Sequence, residues 1–393
     1  MFYQRKIYPE IKKHLKQKQI TVITGMRRVG KTTILKHILE EIPSDNKAYF
    51  DLERVDTREL FSEKNYELII SALENRGLNL KQGLYLAIDE IQLSGNIASV
   101  LKYLYDNYNI KFIVSGSSSF YLKNLFSESL AGRKKIFELF PLDFGEFLTF
   151  KEVSFKSIDK VFQMDFEKSE YERLKSLYEE FVSFGGFPEV VLLKTNQAKK
   201  DLLNDIVSSY INIDVATLSD FRQQNDFYSL IKMLASRSGT RLDYTKLSQL
   251  TGISRPTLMN YLEFLEKTYL IYRLPVLARS SDKEIVKAKK IYFCDTGMAN
   301  ILAQLSGGQQ FENTVFNQLR SYGELRYFAL KTGREIDFIL DALLAIEVKE
   351  TPTTSDLKNL VETAKRAKTK KVRLVGRYAS PKFKDYLWAG FLR

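Results

Sequence analysis

One octapeptide near the amino end constrains this chain more than anything else in it: Gly25-Met26-Arg27-Arg28-Val29-Gly30-Lys31-Thr32. It satisfies G-x-x-x-x-G-K-[ST] without a mismatch. An apolar run, Ile20–Thr24, stands before it, and Ile34, Leu35, Ile38 and Leu39 follow at helical spacing. The motif needs a strand, a loop and a helix in that order, and the surroundings supply them. Glycines let backbone N–H groups curl around phosphate oxygens, and the helix start adds the positive end of its dipole. Gly25 to Thr32, with Thr33 behind them, are therefore expected to line a nucleotide pocket for ATP. Lys31 would reach the β/γ-phosphates, and the Thr32 hydroxyl would ligate Mg²⁺.

Length bounds the rest. A chain of 393 residues has room for two or three domains with ample core. The single cysteine, Cys294, excludes an intrachain disulfide and suits a reducing cytoplasm. The start, Met1-Phe-Tyr-Gln-Arg-Lys, lacks the apolar core of a signal peptide, and no apolar run is long enough to span a membrane. With only His14 and His37 present, any metal chemistry must rest on carboxylates, which favours Mg²⁺ or Mn²⁺. Net charge is +12, and it is uneven: from Asp356 to Arg393 eleven Lys and Arg face three acids. A basic lobe of this kind suits a polyanion such as DNA, and equally a solvated surface.

Further strand-like runs occur at Lys47–Leu52, Leu84–Ile88, Ile110–Ser115 and Lys135–Phe140, with helical patterns between most of them. This predicts a parallel sheet covered by helices. Leu84-Tyr-Leu-Ala-Ile-Asp89-Glu90 is an apolar run ending in Asp-Glu, the Walker B pattern. Asp89 would hold Mg²⁺, and Glu90 would orient and deprotonate the attacking water. Ser115 begins the polar strand end Ser115-Gly-Ser-Ser-Ser119, where a hydroxyl would meet the γ-phosphate or the water, or simply belong to a Ser-rich turn. Leu130-Ala-Gly132-Arg133 stands just before the last strand.

Phosphate loop, Asp-Glu, polar strand end, and Gly-Arg before the last strand together resemble an AAA+ ATPase. The resemblance makes Arg133 a finger that enters a neighbour's site, with Arg27 and Arg28 as lesser cationic candidates. It implies a homo-oligomer, a hexameric ring being one form, and a helical lid over residues 142–235. The segments Asp89-Glu90-Ile91-Gln92, Ser115-Gly116-Ser117-Ser118, Leu130-Ala-Gly132-Arg133, Phe140-Pro141-Leu142 and Phe184-Gly-Gly-Phe-Pro-Glu189 resemble one prokaryotic family along essentially the whole chain. Its members join an AAA ATPase, here residues 1–141, to a C-terminal domain of unknown function. The lid arginine of many AAA+ proteins has no clear counterpart.

Residues 236–300 read as a helix-turn-helix with a hairpin. Asp243–Thr251 is one helix, Gly252-Ile-Ser254 a tight turn, and Arg255–Lys267 a helix capped by Ser254. Tyr269–Val276 and Lys289–Asp295 are strand candidates, with Lys283, Lys287, Lys289 and Lys290 between or within them. The order resembles a winged helix. On DNA, Arg255, Thr257 and Asn260 would reach base edges; the same fold serves elsewhere as a protein interface.

Residues 301–393 order as α-β-β-β-α-β: helix Gln309–Tyr322, strands Leu325–Leu330, Glu335–Leu340 and Leu343–Val348, helix Ser355–Ala367, strand Lys371–Val375. Alternation puts Glu347 and Lys349 on one strand face, and the Asp341-Ala342 turn brings Asp337 alongside. Two carboxylates and an ammonium, with Glu312 from the preceding helix, form a candidate Mg²⁺ or Mn²⁺ site for phosphodiester chemistry. Topology and residues resemble the PD-(D/E)XK nucleases, with Ile336-Asp337 where many members have Pro-Asp. That resemblance gives Asp337, Glu347 and Lys349 catalytic roles, and Asp337, Glu347 and Glu312 metal-binding ones.

The expected fold is thus α/β: a P-loop AAA+ domain with a parallel sheet and helical lid, then a winged helix and a nuclease-like α/β domain. The leading functional expectation is a cytoplasmic ATPase that acts on DNA and cuts it at the C-terminal site. The alternative is a nucleotide-dependent assembly switch whose C-terminal domain binds DNA or a protein without cleavage. A protein remodeller is a third class, but the aromatic-Gly pore loops of an unfoldase are missing.

Overall fold

A computed structural model describes residues 2–117, 130–156, 158, 160–215, 224–278, 287–330 and 332–393. Two compact units result: Met1–Phe140 with Lys267–Tyr269, and Pro141–Glu266 with Leu270–Arg393.

In the first unit, strands β1 (Ile20–Thr24), β2 (Lys47–Asp51), β3 (Leu84–Asp89), β4 (Ile110–Gly116) and β5 (Lys134–Glu138) form one sheet. Its order is β2-β3-β4-β1-β5, and every pairing is parallel. Parallel strands need covered crossovers, so the central strands β1, β3 and β4 are almost wholly buried, while the edge strands β2 and β5 are only partly covered. All five residues of β1 are buried. Ile20, Val22, Leu86, Ile88, Phe112 and Val114 share one core with Phe61, Ile69, Leu73, Val100, Leu101 and Leu104 of the flanking helices. Each such side chain contributes about 1.5–3 kcal/mol on full burial.

Helix α1 (Tyr8–His14) precedes β1 and helix α2 (Lys31–Glu41) follows it, with Ile34, Leu35, Ile38 and Leu39 as the buried stripe of α2. Gly25 is fixed by space. A Cβ there would stand 2.1 Å from the Leu139 carbonyl oxygen, a backbone atom that cannot step aside. Gly25→Ala is therefore expected to distort the loop and lower the melting temperature by several degrees. An unchanged melt with normal nucleotide affinity would refute that close approach.

In the second unit the segments predicted as lid, helix-turn-helix and C-terminal domain do not separate. Phe144, Phe147, Leu174, Tyr178 and Phe181 from the helical stretch join Leu274, Val276 and Tyr292 in a single core. Val315, Phe316, Ile336, Phe338, Ile346, Leu374 and Trp388 belong to that same core. The sequence shows where elements begin, but not that their apolar faces meet, so it suggested two boundaries inside a unit whose segments share one core.

The predicted elements do form. Helix Tyr244–Thr251, capped by the Asp243 side chain on Lys246 N–H, leads through Gly252 to helix Arg255–Lys267. Strands β6 (Ile271–Leu274) and β7 (Lys290–Phe293) pair antiparallel. Strands β8 (Leu325–Ala329), β9 (Glu335–Leu340), β10 (Leu344–Lys349), β11 (Lys371–Gly376) and β12 (Leu387–Trp388) form a mixed sheet. Its order is β12-β11-β10-β9-β8, antiparallel from β8 to β10 and parallel from β10 to β12. The two-residue β12 is too short to carry a period and was not predicted. Lys283, Ser118, Ser119 and the stretch 127–129 lie outside the described residues.

Candidate functional site

The carboxyl edge of the first sheet gathers the residues assigned to nucleotide chemistry, Arg133 excepted. Ile23 stands beside Ser115 and Thr24 beside Gly116, so the loop leaves β1 next to the end of β4. Strand β3 brings Asp89 in on the other side of β4. Open parallel sheets bind ligands at this edge.

Gly30 (φ 99°) caps α2, and a Cβ there would meet nothing within 4 Å. The loop there leads into the positive end of the helix dipole, which favours an anion such as phosphate. Lys31 is buried, and its Nζ donates to the carbonyls of Gly25 at 3.1 Å and Met26 at 2.8 Å. Its ammonium therefore lies against the loop that it would serve. Arg27 reaches Glu53 at 3.4 Å.

Asp89 is buried with both oxygens accepting hydrogen bonds. Oδ1 accepts from the Ser115 hydroxyl and from Glu90 N–H at 3.1 Å, and Oδ2 accepts from the Tyr49 hydroxyl at 2.9 Å. Burial and the Asp89 charge push the Tyr49 pKa well above its ordinary value, so Tyr49 stays a donor. Ser115, expected either at the γ-phosphate or the water or in a Ser-rich turn, is fully buried, and its hydroxyl donates to Asp89.

Glu90 leaves β3 in the left-handed region at φ 53°. Its carboxylate accepts a bond from Gln92 Nε2, which also reaches Ser117 Oγ at 2.8 Å. Gln92 and Tyr49 were not assigned roles from sequence; neither residue type announces a contact across strands. Asp89 and the Thr32 hydroxyl are hard oxygen donors of the kind Mg²⁺ takes when phosphates and waters complete its shell.

Arg133 lies at the opposite edge. Its carbonyl accepts from Ile20 N–H at 2.8 Å, and Lys134 pairs with Ile20 at the amino end of β1. At roughly 3.3 Å per residue, β1 separates it from the loop by about 16 Å. Its guanidinium grips Asp106 with two bonds, of 2.9 and 3.2 Å.

In the second unit, Asp337, Glu347 and Lys349 do come together. Asp337 Oδ2 accepts from Val348 N–H at 2.9 Å, and Lys349 Nζ donates to Glu347 Oε1 at 2.8 Å. Glu312 joins them from helix Gly307–Leu319, held by the Tyr292 hydroxyl at 2.6 Å. What sequence reasoning missed is Lys290. Read from sequence only as part of a basic stretch, it is buried at 1% side-chain exposure. Its Nζ stands 3.0 Å from Glu335, 3.3 Å from Glu312 and 3.4 Å from Asp337. Burial alone would drive that ammonium towards neutrality. Asp337, Glu312 and Glu335 outweigh it and hold the Lys290 pKa above its ordinary value. Glu335 was legible in principle, being two residues from Asp337 on the same strand face.

Among the described residues no three His, Cys, Asp or Glu gather as a group that could hold a metal ion. Glu312 and Asp337 are turned on an ammonium, and Glu347 on Lys349. The residues present do not fit a divalent ion in this arrangement.

Burial and the neighbouring Asp337 push both Glu312 and Glu347 up to about 7. A carboxyl raised on folding stabilises fully below its unfolded pKa, about 4.3, and that contribution is lost as pH rises through 7. The urea midpoint of wild type is thus expected to fall more between pH 5 and 8 than that of Glu312→Gln. Parallel curves would remove Glu312 from this titration.

Arg255 and Asn260 are exposed, and Thr257 is half-buried with its hydroxyl 2.8 Å from Ser254 Oγ. In the basic tail, Arg373 pairs with Asp165 and Asp385, Arg377 with Glu179 and Glu350, and Arg393 with Glu170. The other eight basic residues, Lys358, Lys365, Arg366, Lys368, Lys370, Lys371, Lys382 and Lys384, are exposed. Among the described residues no helix is long and apolar enough to cross a membrane.

Residues 17–148 match the model of an AAA domain. Residues 175–309 and 307–389 match two domains of unknown function, DUF8612 and DUF4143. An uncharacterized Haemophilus influenzae protein is 26% identical over 379 residues, 91% of this chain and 89% of that one. Among solved structures, the Aeropyrum pernix ORC2 protein in its ADP form is 15% identical, covering 70% of this chain and 87% of that chain. Its TM-score of 0.38 is too low to bear on the fold. The uncharacterized protein MJ1544 of Methanocaldococcus jannaschii is 30% identical over 334 residues, 82% of this chain and 72% of that protein. With an AAA domain at its amino end and two domains of unknown function behind it, this chain belongs to the same protein family as MJ1544.

Proposed function

We propose that this protein binds and hydrolyses ATP in its first unit, and that its second unit engages DNA or a partner without cutting it. The observation that carries the first half is the meeting, at one sheet edge, of the phosphate loop with Asp89 held by Tyr49 and Ser115 and with Glu90 held by Gln92. Loop and helix start would cradle the phosphates, and Lys31 would move from the loop carbonyls to the β/γ-phosphates. Mg²⁺, held through Thr32 and Asp89, would neutralise phosphate charge. Glu90 would take a proton from the attacking water. Arg133, unable to reach the pocket of its own chain, would complete a neighbour's, which makes the active form an oligomer.

Support for DNA comes from the exposed basic residues of the tail and from Arg255 and Asn260 at the start of the second helix of a winged-helix-like order. Salt-dependent affinity is the signature expected of such a surface. The non-cutting reading is favoured by Lys290 among the carboxylates. The nuclease reading keeps one observation on its side, the convergence of Asp337, Glu347 and Lys349 on adjacent strands. One assay separates them: ATP turnover with and without duplex, single-stranded or four-way-junction DNA, in Mg²⁺ or Mn²⁺, with cleavage read on the same samples. Stimulated turnover with intact DNA is expected. Cleavage that Asp337→Ala abolishes would reverse the choice, and turnover that ignores DNA, with no salt-dependent binding, would remove DNA as the partner.

A further inference from the structure

We infer that the acidic cluster of the second unit carries its own cation: the Lys290 ammonium stands where a divalent metal would have to bind, and a metal site appears only when that ammonium is removed. The inference rests on the non-cutting reading above.

Three carboxylates converge on one Nζ, at 3.0, 3.3 and 3.4 Å, from a helix (Glu312) and a strand (Glu335 and Asp337). The lysine comes from a third element, strand β7, and has a side-chain exposure of only 1%. A hard divalent ion needs the same oxygens at about 2.0–2.6 Å. Ion and ammonium would then contend for one volume and repel each other across it. Position and charge sign both follow from the cluster: buried carboxylates demand a positive partner, and this chain supplies it covalently.

The cage would survive loss of the ammonium. Tyr292 holds Glu312 Oε1 at 2.6 Å, and Val348 N–H holds Asp337 Oδ2 at 2.9 Å, both independently of Lys290. Lys290→Met keeps most of the side-chain length and volume while removing the charge. It would leave three carboxylates around an uncompensated space, no longer held apart by the ammonium and able to close on an ion, with Glu347 beside Asp337 on the neighbouring strand. The ligand class that such oxygens recruit is a hard divalent cation, Mg²⁺ or Mn²⁺.

The test counts bound Mn²⁺ by electron paramagnetic resonance on the full chain without nucleotide. Wild type is expected to hold no Mn²⁺ that Asp337→Asn removes. Lys290→Met is expected to gain one Mn²⁺ per chain, at least tenfold tighter than in wild type, and to lose it again in Lys290→Met/Asp337→Asn. A wild-type Mn²⁺ that disappears with Asp337→Asn overturns the inference, as does a folded Lys290→Met that gains none. Should Lys290→Met unfold in EDTA, the melt is repeated in Mn²⁺: restored folding supports the inference and no restoration overturns it. DNA cleavage is read separately. A wild type that cuts DNA yet holds no Mn²⁺ until Lys290 is replaced sinks the non-cutting reading and leaves the internal cation standing.

Discussion

Glu90→Gln is expected to bind ATP as wild type does and to hydrolyse it about 10²–10⁴-fold more slowly, the range a positioned general base contributes. Gln keeps the shape of the side chain and its hydrogen bond to Gln92, but cannot accept the water proton. Asp89 is untouched: Tyr49 and Ser115 still hold it, so metal and phosphate binding should persist. Lys31→Ala should fail one step earlier. With the ammonium gone from the loop, the β/γ-phosphates lose their nearest cation, and turnover is expected to vanish. Fluorescent-nucleotide affinity and phosphate release, measured side by side, distinguish the two. Wild-type turnover in Glu90→Gln would take Glu90 out of the reaction altogether.

The larger effect is expected at Arg133. An arginine finger is worth about 10³–10⁵ in rate, and Arg133→Ala should lose that much. The geometry is the ground for expecting it to act on a neighbouring chain. Arg133 sits at the amino edge of the sheet, while the phosphate loop and Asp89 sit at the carboxyl edge. Its bonds to Asp106 do not oppose the role. An exposed pair of this kind is worth at most about 1 kcal/mol, far less than a transition-state contact returns. Mixing Arg133→Ala with Lys31→Ala subunits should therefore restore activity, because some interfaces then join an intact loop to an intact finger. If mixtures shown to exchange subunits stay as dead as their components, Arg133 is structural and its partner is Asp106.

Much of this was legible from residue order because it is local. The phosphate loop works through its own backbone and the helix it starts, so its sequence carries its geometry. The central parallel strands announced themselves by the apolar runs that a sheet covered on both faces requires. Asp89 and Glu90 followed from their place at a strand end. In the second unit, strand alternation was enough to bring Asp337, Glu347 and Lys349 together.

What stayed illegible is long-range. Nothing near Tyr49 says that its hydroxyl will meet Asp89, forty residues on. The position of Ser115 left a phosphate contact and a Ser-rich turn equally open, and only the fold shows its hydroxyl meeting the carboxylate of the adjacent strand. Lys290 is the sharpest case. In the chain it is one more cation beside Lys287 and Lys289, and a run of lysines is ordinarily a solvated face. In the fold, β7 packs against a helix and a sheet that begin beyond residue 300, and the last lysine of the run becomes a buried counter-ion to three carboxylates. Sequence alone determined the phosphate-loop motif, its sheet and the α-β-β-β-α-β order of the last elements. Tertiary structure alone decided that the acidic cluster has a cation of its own, because Coulomb energy and burial depend on distance in space, and residue types along the chain do not encode that distance.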